Sequence, residues 1–295
     1  MLNVLPYHLL KSIFQLLDPA DLSHMMSVDS KDCGFINKYR DLFRKKNVLL
    51  RLKGASDHIF LEVFAAEFSR KAPRRVKLFA HDIEKLSYLP GMSIRSVVVE
   101  GTSDSTNRLL ITALERLEVH PECSVTFKNV DFSGTDVEAV RGFLDSLTEI
   151  PLLRIKECTF PSSDFASSLL DGSKVMSKTY AFEDDYSTIL GSIQSSTHLG
   201  DQLLSDFLTS KGEKMSLSLT EHVSWTGVTR FIENWRKFPR EFTSVSFIRT
   251  AAFNDEARGA NADFNRVLTS PQCPGILLRI HMDNRVHAWI STEQS

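Results

Sequence analysis

The chain has 295 residues, enough for about two domains or a small module ahead of a larger body. Hydrophobic residues make up 42% and charged residues 24%, ordinary values for a globular chain with a sizeable core. Lysine and arginine number 35 against 37 acids, and the resulting net charge of −2 argues against a protein built mainly to bind nucleic acid or an acidic membrane.

The opening stretch is apolar, but it lacks the basic start and small-residue cleavage site of a signal peptide. His8, Lys11 and Gln15 interrupt it well short of the ~18 apolar residues of a membrane span. Leu9, Leu10, Ile13, Phe14, Leu16 and Leu17 recur at three- and four-residue steps and predict an amphipathic helix, with Pro6 in its first turn. Asp18-Pro19-Ala20-Asp21 supplies a capping oxygen, a first-turn proline and a first-turn acid for a second helix carrying Leu22, Met25 and Met26. Ser30 caps a third, with Phe35, Ile36, Tyr39, Leu42 and Phe43 on one stripe. A module of this size carries more apolar side chains than it buries alone. The surplus either docks on a second protein or packs as a cap on the chain's own body.

From residue 46 to 93 the pattern is that of a connecting α/β segment. Val48–Leu52, Ile59–Phe64 and Val76–Phe79 read equally as short strands or helix ends. Arg70, Lys71, Arg74, Arg75 and Lys77 form a basic run, either a solvated edge or a localisation signal.

From residue 94 to 295 the chain repeats itself. Ile94, Val97 and Val99 are followed 28 residues on by Glu122, Val125 and Phe127, and after another 28 by Ile150, Leu153 and Ile155. Tyr180 and Phe182 mark the next strand, then a longer insertion. Leu217 and Leu219 resume the spacing, Val245 and Phe247 follow 28 residues later, and Leu278 and Ile280 close the series. Phe132, Phe160, Trp225 and Phe253 each follow a strand, and helical stretches come next at Val137–Leu147, Phe165–Leu170, Val228–Trp235 and Ala257–Leu268. A strand–turn–helix unit cannot bury its apolar face alone, whereas stacked units share a core. Ile150-x-x-Leu153-x-Ile155-x-x-Cys158-x-Phe160 is close to a leucine-rich-repeat strand pattern. The expected architecture is therefore α/β: an N-terminal three-helix module, then a leucine-rich-repeat-like solenoid with a curved parallel sheet and outer helices.

Strand alternation assigns the outward positions. If Val125, Phe127, Leu153, Ile155, Leu217, Leu219, Val245 and Phe247 point inward, then Thr126, Lys128, Arg154, Lys156, Ser218, Thr220, Ser246 and Ile248 line the other face. That face is either a surface for a target protein or a solvated sheet without a ligand.

Little in the sequence points to catalysis, a metal or a cofactor. Cys33, Cys123, Cys158 and Cys273 are isolated and suit a reducing compartment, cytoplasm or nucleus. His281 and His287 flank Asn284 and Arg285 without metal-ligand spacing, and no nucleophile-elbow, P-loop or dinucleotide motif occurs. Glu183-Asp184-Asp185 reads as a solvated acidic loop.

Two stretches resemble a known family. Leu5-Pro6-x-x-Leu9-Leu10-x-x-Ile13-Phe14-x-x-Leu17-x-Pro19-x-Asp21-Leu22, followed by Met25 and Val28, resembles an F-box over about residues 3–43. Val223-Ser224-Trp225-Thr226-Gly227-Val228-Thr229-Arg230-Phe231-Ile232-Glu233-Asn234-Trp235, with Phe242, Val245 and Phe247, is similar to the type 2 F-box-associated domain of the family expanded in nematodes. The resemblance implies an F-box-like adaptor-binding module at 1–45 and an F-box-associated, substrate-binding body at 94–295. It places Leu5, Pro6, Leu9, Ile13, Leu17, Leu22 and Val28 at or near a Skp-type adaptor. It implies a non-catalytic substrate-recognition subunit of an SCF-type (cullin–RING) ubiquitin ligase, whose partners are that adaptor and an unidentified target protein. The competing expectation is an interaction scaffold with no link to ubiquitination.

Overall fold

The structure is a computed structural model and describes residues 46–65, 73–87, 92–102, 107–133, 137–160, 165, 168, 169, 177–183, 199–218, 223–249, 251–260, 265–282 and 287–294. In chain order the strands are β1 (Lys46–Gly54), β2 (Ile59–Ala65), β3 (Arg74–Leu78), β4 (Met92–Glu100), β5 (Ser124–Lys128), β6 (Leu153–Lys156), β7 (Thr179–Glu183), β8 (Lys214–Ser218), β9 (Ser244–Ile248), β10 (Arg266–Ser270), β11 (Cys273–Met282) and β12 (His287–Gln294). Among the described residues five helices intervene: α1 (Asn107–Arg116), α2 (Val137–Asp145), α3 (Leu199–Thr209), α4 (Trp225–Lys237) and α5 (Ala251–Gly259). A 3-10 helix spans Ala80–Ser87.

All twelve strands join one sheet in the order β10-β11-β12-β9-β8-β7-β6-β5-β4-β1-β2-β3. The seven strands from β9 to β1 in that order run parallel to their neighbours. Antiparallel strands flank them, β2 and β3 on one side and β12, β11 and β10 on the other.

Apolar alternation sets the register. Leu50, Val97, Val125, Leu153, Tyr180, Met215, Val245 and Ile290 form one cross-strand row. Leu52, Val99, Phe127, Ile155, Phe182, Leu217, Phe247 and Ala288 form the next. Every member of both rows is buried, so one face of the sheet is the floor of the core. A one-residue slip in any strand would turn its apolar set to solvent, which fixes the pairing. The helices roof the same core, contributing Leu110 and Leu114 from α1, Leu203 and Phe207 from α3, and Val228, Phe231 and Trp235 from α4.

The 28-residue step survives as physical stacking. Phe132 lies parallel to Phe160 at 5.8 Å between ring centroids, and Trp225 meets Phe253 edge-on at 5.9 Å. Asn129 and Glu157, also 28 apart, each leave a strand with φ at 52°.

The helix α4 is anchored by a polar relay. Ser224 caps it by accepting a hydrogen bond from Gly227 N–H at 2.9 Å. The carboxylate of Asp201, on α3, accepts from both Ser224 N–H and Ser224 Oγ–H. At the other end, Trp235 Nε1 donates to Arg240 O at 3.0 Å. The Arg240 guanidinium in turn donates to Phe207 O and Gly212 O, covering carbonyls where α3 ends. Burial lowers Arg240 to about 10, still charged at neutral pH.

This architecture corrects the expected fold. Among the described residues it is sheet-rich rather than helix-led, a single mixed sheet of twelve strands with five helices, and no three-helix module is seen. The expected helices over 1–45 lie outside them. A solenoid closed by parallel strands is overturned by the two antiparallel ends. The reason lies in connection length. Four residues separate β11 from β12 and two separate β10 from β11, whereas a parallel crossover needs about a dozen. Leu278 and Ile280 therefore sit in a meander. The helix expected at Ala257–Leu268 also fails: α5 ends at Gly259, and Val267 and Leu268 belong to β10. Leu217 pairs with Phe247, thirty residues on, so the second register slips by two from the expected 28.

Candidate functional site: the outer face of the sheet

The face opposite the core carries the alternate positions of every strand. One outward row runs Arg75, Glu62, Arg51, Val98, Thr126, Arg154, Ala181, Ser216, Ser246, Trp289 and His281, crossing from β3 to β11. A second runs Lys77, Phe60, Lys53, Glu100, Lys128, Lys156, Glu183 and Ser218.

Charge concentrates on one half. From β3 to β7 the two rows hold seven lysines and arginines against three glutamates, with Glu157 a fourth acid just past β6. The acids bridge cations across strands. Glu62 lies 3.4 Å from both Arg51 Nη1 and Arg75 Nε. Glu100 reaches Arg51, Lys53 and Lys128 at 3.6–3.8 Å. Glu183 sits 3.1 Å from Arg154 Nε, and Glu157 3.8 Å from Lys156 Nζ. Arg75 also covers the Phe60 ring at 3.5 Å. Glu62 and Glu100 are largely covered while the cations around them stay partly exposed, so the charged heads that reach solvent on this half are mostly positive.

The other half is low and then aromatic. Ala181, Ser216 and Ser246 carry short side chains in consecutive strands. They give way to Trp289, 37% exposed, whose ring tilts against His281 at 4.2 Å. A depression of about 500 Å³ opens there, lined by Ser244, Ser246, His287, Ala288 and Trp289.

Of the outward residues expected from sequence, Thr126, Lys128, Arg154, Lys156, Ser218 and Ser246 occupy this face, along with Ile248. Thr220 lies outside the described residues, as do Leu5, Pro6, Leu9, Ile13, Leu17, Leu22 and Val28. Sequence reading missed Arg51, Lys53, Glu62, Glu100 and Trp289, and noted Arg75 only as part of a basic run. The one signal was the alternation Leu50-Arg51-Leu52-Lys53, too short to separate a strand from a helix end, whereas Ala288-Trp289-Ile290 is apolar throughout.

Among the described residues no group of three or more His, Cys, Asp or Glu could hold a metal ion, and no helix is long and apolar enough to cross a membrane. No family model matches the chain, and neither a curated protein nor a solved structure was found to resemble it.

Proposed function

We propose that the protein is a substrate-recruiting subunit of a cullin–RING ubiquitin ligase, holding a Skp-type adaptor through residues 1–45 and a target protein on the outer face of the sheet. The observation that carries this reading is the ordered F-box-like series from Leu5-Pro6 through Leu17-x-Pro19-x-Asp21-Leu22 to Val28. Its support for the target half is the broad outer face, with mixed charge and an exposed tryptophan set on rigid strands. The segment that resembles a type 2 F-box-associated domain builds β8, α4 and β9, part of that same sheet and its roof. The role is positional: the subunit raises the effective concentration of a target near the transferred ubiquitin, and the chemistry belongs to the ligase. A cytoplasmic or nuclear location follows from that assembly.

The test is a pull-down with a Skp-type adaptor, comparing wild type with a Leu9→Asp/Ile13→Asp variant. Recovery by wild type and loss in the variant is expected, because a carboxylate in an apolar interface is costly to desolvate. Equal recovery by both, or by neither, refutes the ligase reading. It then favours a scaffold that uses the same outer face without ubiquitination.

A further inference from the structure

We infer that the free edge of β3 takes an acidic, extended segment of the target protein as an added strand, with carboxylates opposite Arg75 and Lys77 and an apolar side chain against Val76. The inference rests on the target-binding half of the proposed function and adds where the target sits and what chemistry it carries.

The first observation is the open edge. β3 ends the sheet: it pairs with β2 along Arg74–Leu78, and among the described residues no strand pairs with its other side. In an antiparallel pair alternate residues turn N–H and C=O away from the neighbour, so this side offers backbone groups to an incoming chain. The second is apolar exposure. Val76 belongs to the core-facing row beside the buried Leu61, yet it is 48% exposed, because the row ends there.

The third observation is charge, which says what the added strand carries. On the outer side Arg75 and Lys77 flank Val76, and β1 adds Arg51 and Lys53. The acids there are Glu62, shared by Arg51 and Arg75, and Glu100 of β4, shared by Arg51, Lys53 and Lys128. Lys77 has Phe60 beside it in its row rather than an acid. This cationic margin on a chain of net charge −2 selects an anionic partner. Side chains alternate along a strand, so the added segment reads acid–apolar–acid in either direction.

Other occupants fit poorly. Two β3 edges meeting antiparallel about Val76 would set Arg75 of each copy against Lys77 of the other, and like charges opposite one another destabilise a strand pair. The far edge, β10 at Arg266–Ser270, has no acid to offer, so a second copy of this chain is not the occupant. Single-stranded nucleic acid needs open rings to stack on. Here Arg75 covers Phe60 at 3.5 Å, and Phe79 has Lys77 over it at 4.7 Å and His81 stacked at 5.8 Å.

The test titrates the full chain into a fluorescein-labelled peptide whose central residues read Thr-Glu-Val-Glu-Thr, followed by fluorescence anisotropy. Binding should weaken with added salt and fall about tenfold or more in Arg75→Glu/Lys77→Glu. That variant should instead bind the peptide with lysine in place of glutamate. A Thr-Glu-Glu-Val-Thr peptide, equal in charge but with its acids on opposite faces, should bind more weakly. N-methylation of the two glutamates, or of the threonines and valine between and around them, should abolish binding for one set and spare it for the other, because only one set faces β3. Arg258→Glu, on α5 away from this edge, should change nothing. Thermal melts show that each variant is folded. Charge reversal without effect, equal binding of the Thr-Glu-Glu-Val-Thr peptide, or indifference to both N-methylated sets overturns the inference. So does a deoxythymidine decamer that binds more tightly than the peptide. The adaptor pull-down reads residues 1–45, whereas this titration reads β3. If the adaptor binds and the peptide does not, the edge assignment is wrong and the ligase reading stands. If the peptide binds and the adaptor does not, the reverse holds.

Discussion

Replacing Gly227 with alanine should destabilise the protein, although glycine to alanine in a helix ordinarily stabilises. Gly227 is the third residue of α4, where alanine is worth ~1 kcal/mol over glycine through helix propensity. Here a Cβ would stand 2.1 Å from Asp201 Oδ1 and 2.2 Å from Asp201 Cγ. The carboxylate would have to swing away, losing its hydrogen bonds from Ser224 N–H and Ser224 Oγ–H. Hydrogen bonds to a charged group contribute about 1.5–3 kcal/mol each, and one of the two is recoverable by water at this half-buried site. Subtracting the propensity gain leaves a net loss of about 0.5–2 kcal/mol, or roughly 1–8 °C in Tm. Urea denaturation of wild type, Gly227→Ala, Asp201→Ala and the double variant measures it. In the Asp201→Ala background the clash is gone, so Gly227→Ala should turn neutral or stabilising by up to ~1 kcal/mol. A Gly227→Ala variant as stable as wild type, or the same loss with and without Asp201, refutes the relay.

Three further outcomes follow from groups already described. Burial pushes the Tyr180 phenol up to about 12, from an ordinary value near 10. Its folded state therefore favours the neutral form, with a contribution that is present below pH 10 and lost as pH rises through 12. Urea-derived stabilities at pH 8, 10 and 11 should fall faster for wild type than for Tyr180→Phe, reaching a difference of about 1 kcal/mol at pH 11, and parallel curves would contradict this. Burial likewise pushes the Cys123 thiol up to about 12, so a thiol reagent at pH 8 should label it only after unfolding, as mass spectrometry of digested protein would show. Glu157 holds φ at 52°, a conformation that costs a non-glycine residue about 1–2 kcal/mol, so Glu157→Gly should raise Tm by a few degrees, and an unchanged or lowered Tm would show that its side-chain pairing outweighs the strain.

The pattern of apolar residues reported which residues face the core and said nothing of strand direction. Val97, Val125 and Leu153 announced their shared row through equal spacing, because each occupies one turn of the same strand–helix unit. Leu278, Ile280 and Ile290 alternate in the same way yet run antiparallel, and only the short links between β10, β11 and β12 carry that information. Val48–Leu52 could not be told from a helix end by periodicity, and its partner β4 is parallel to it at a distance of about forty-five residues, beyond any local signal. The outer face was half legible. Its polar positions in β5, β6 and β9 followed from alternation, but the surplus of charge emerged only when β1, β2 and β3 were seen to extend the same sheet. Trp289 stayed hidden because a tryptophan between Ala288 and Ile290 reads as one more core residue until its row is traced.

The position of β12 bears on how the sheet is assembled. It lies between β9 and β11, so the β10–β11 hairpin connects to the parallel strands, as far as ladder hydrogen bonds go, only through a strand that follows it in the chain. The hairpin can form early and locally, but its incorporation must wait for residues 287–294. Until then β9 offers an open edge, and the tryptophan wall of the outer face does not yet exist.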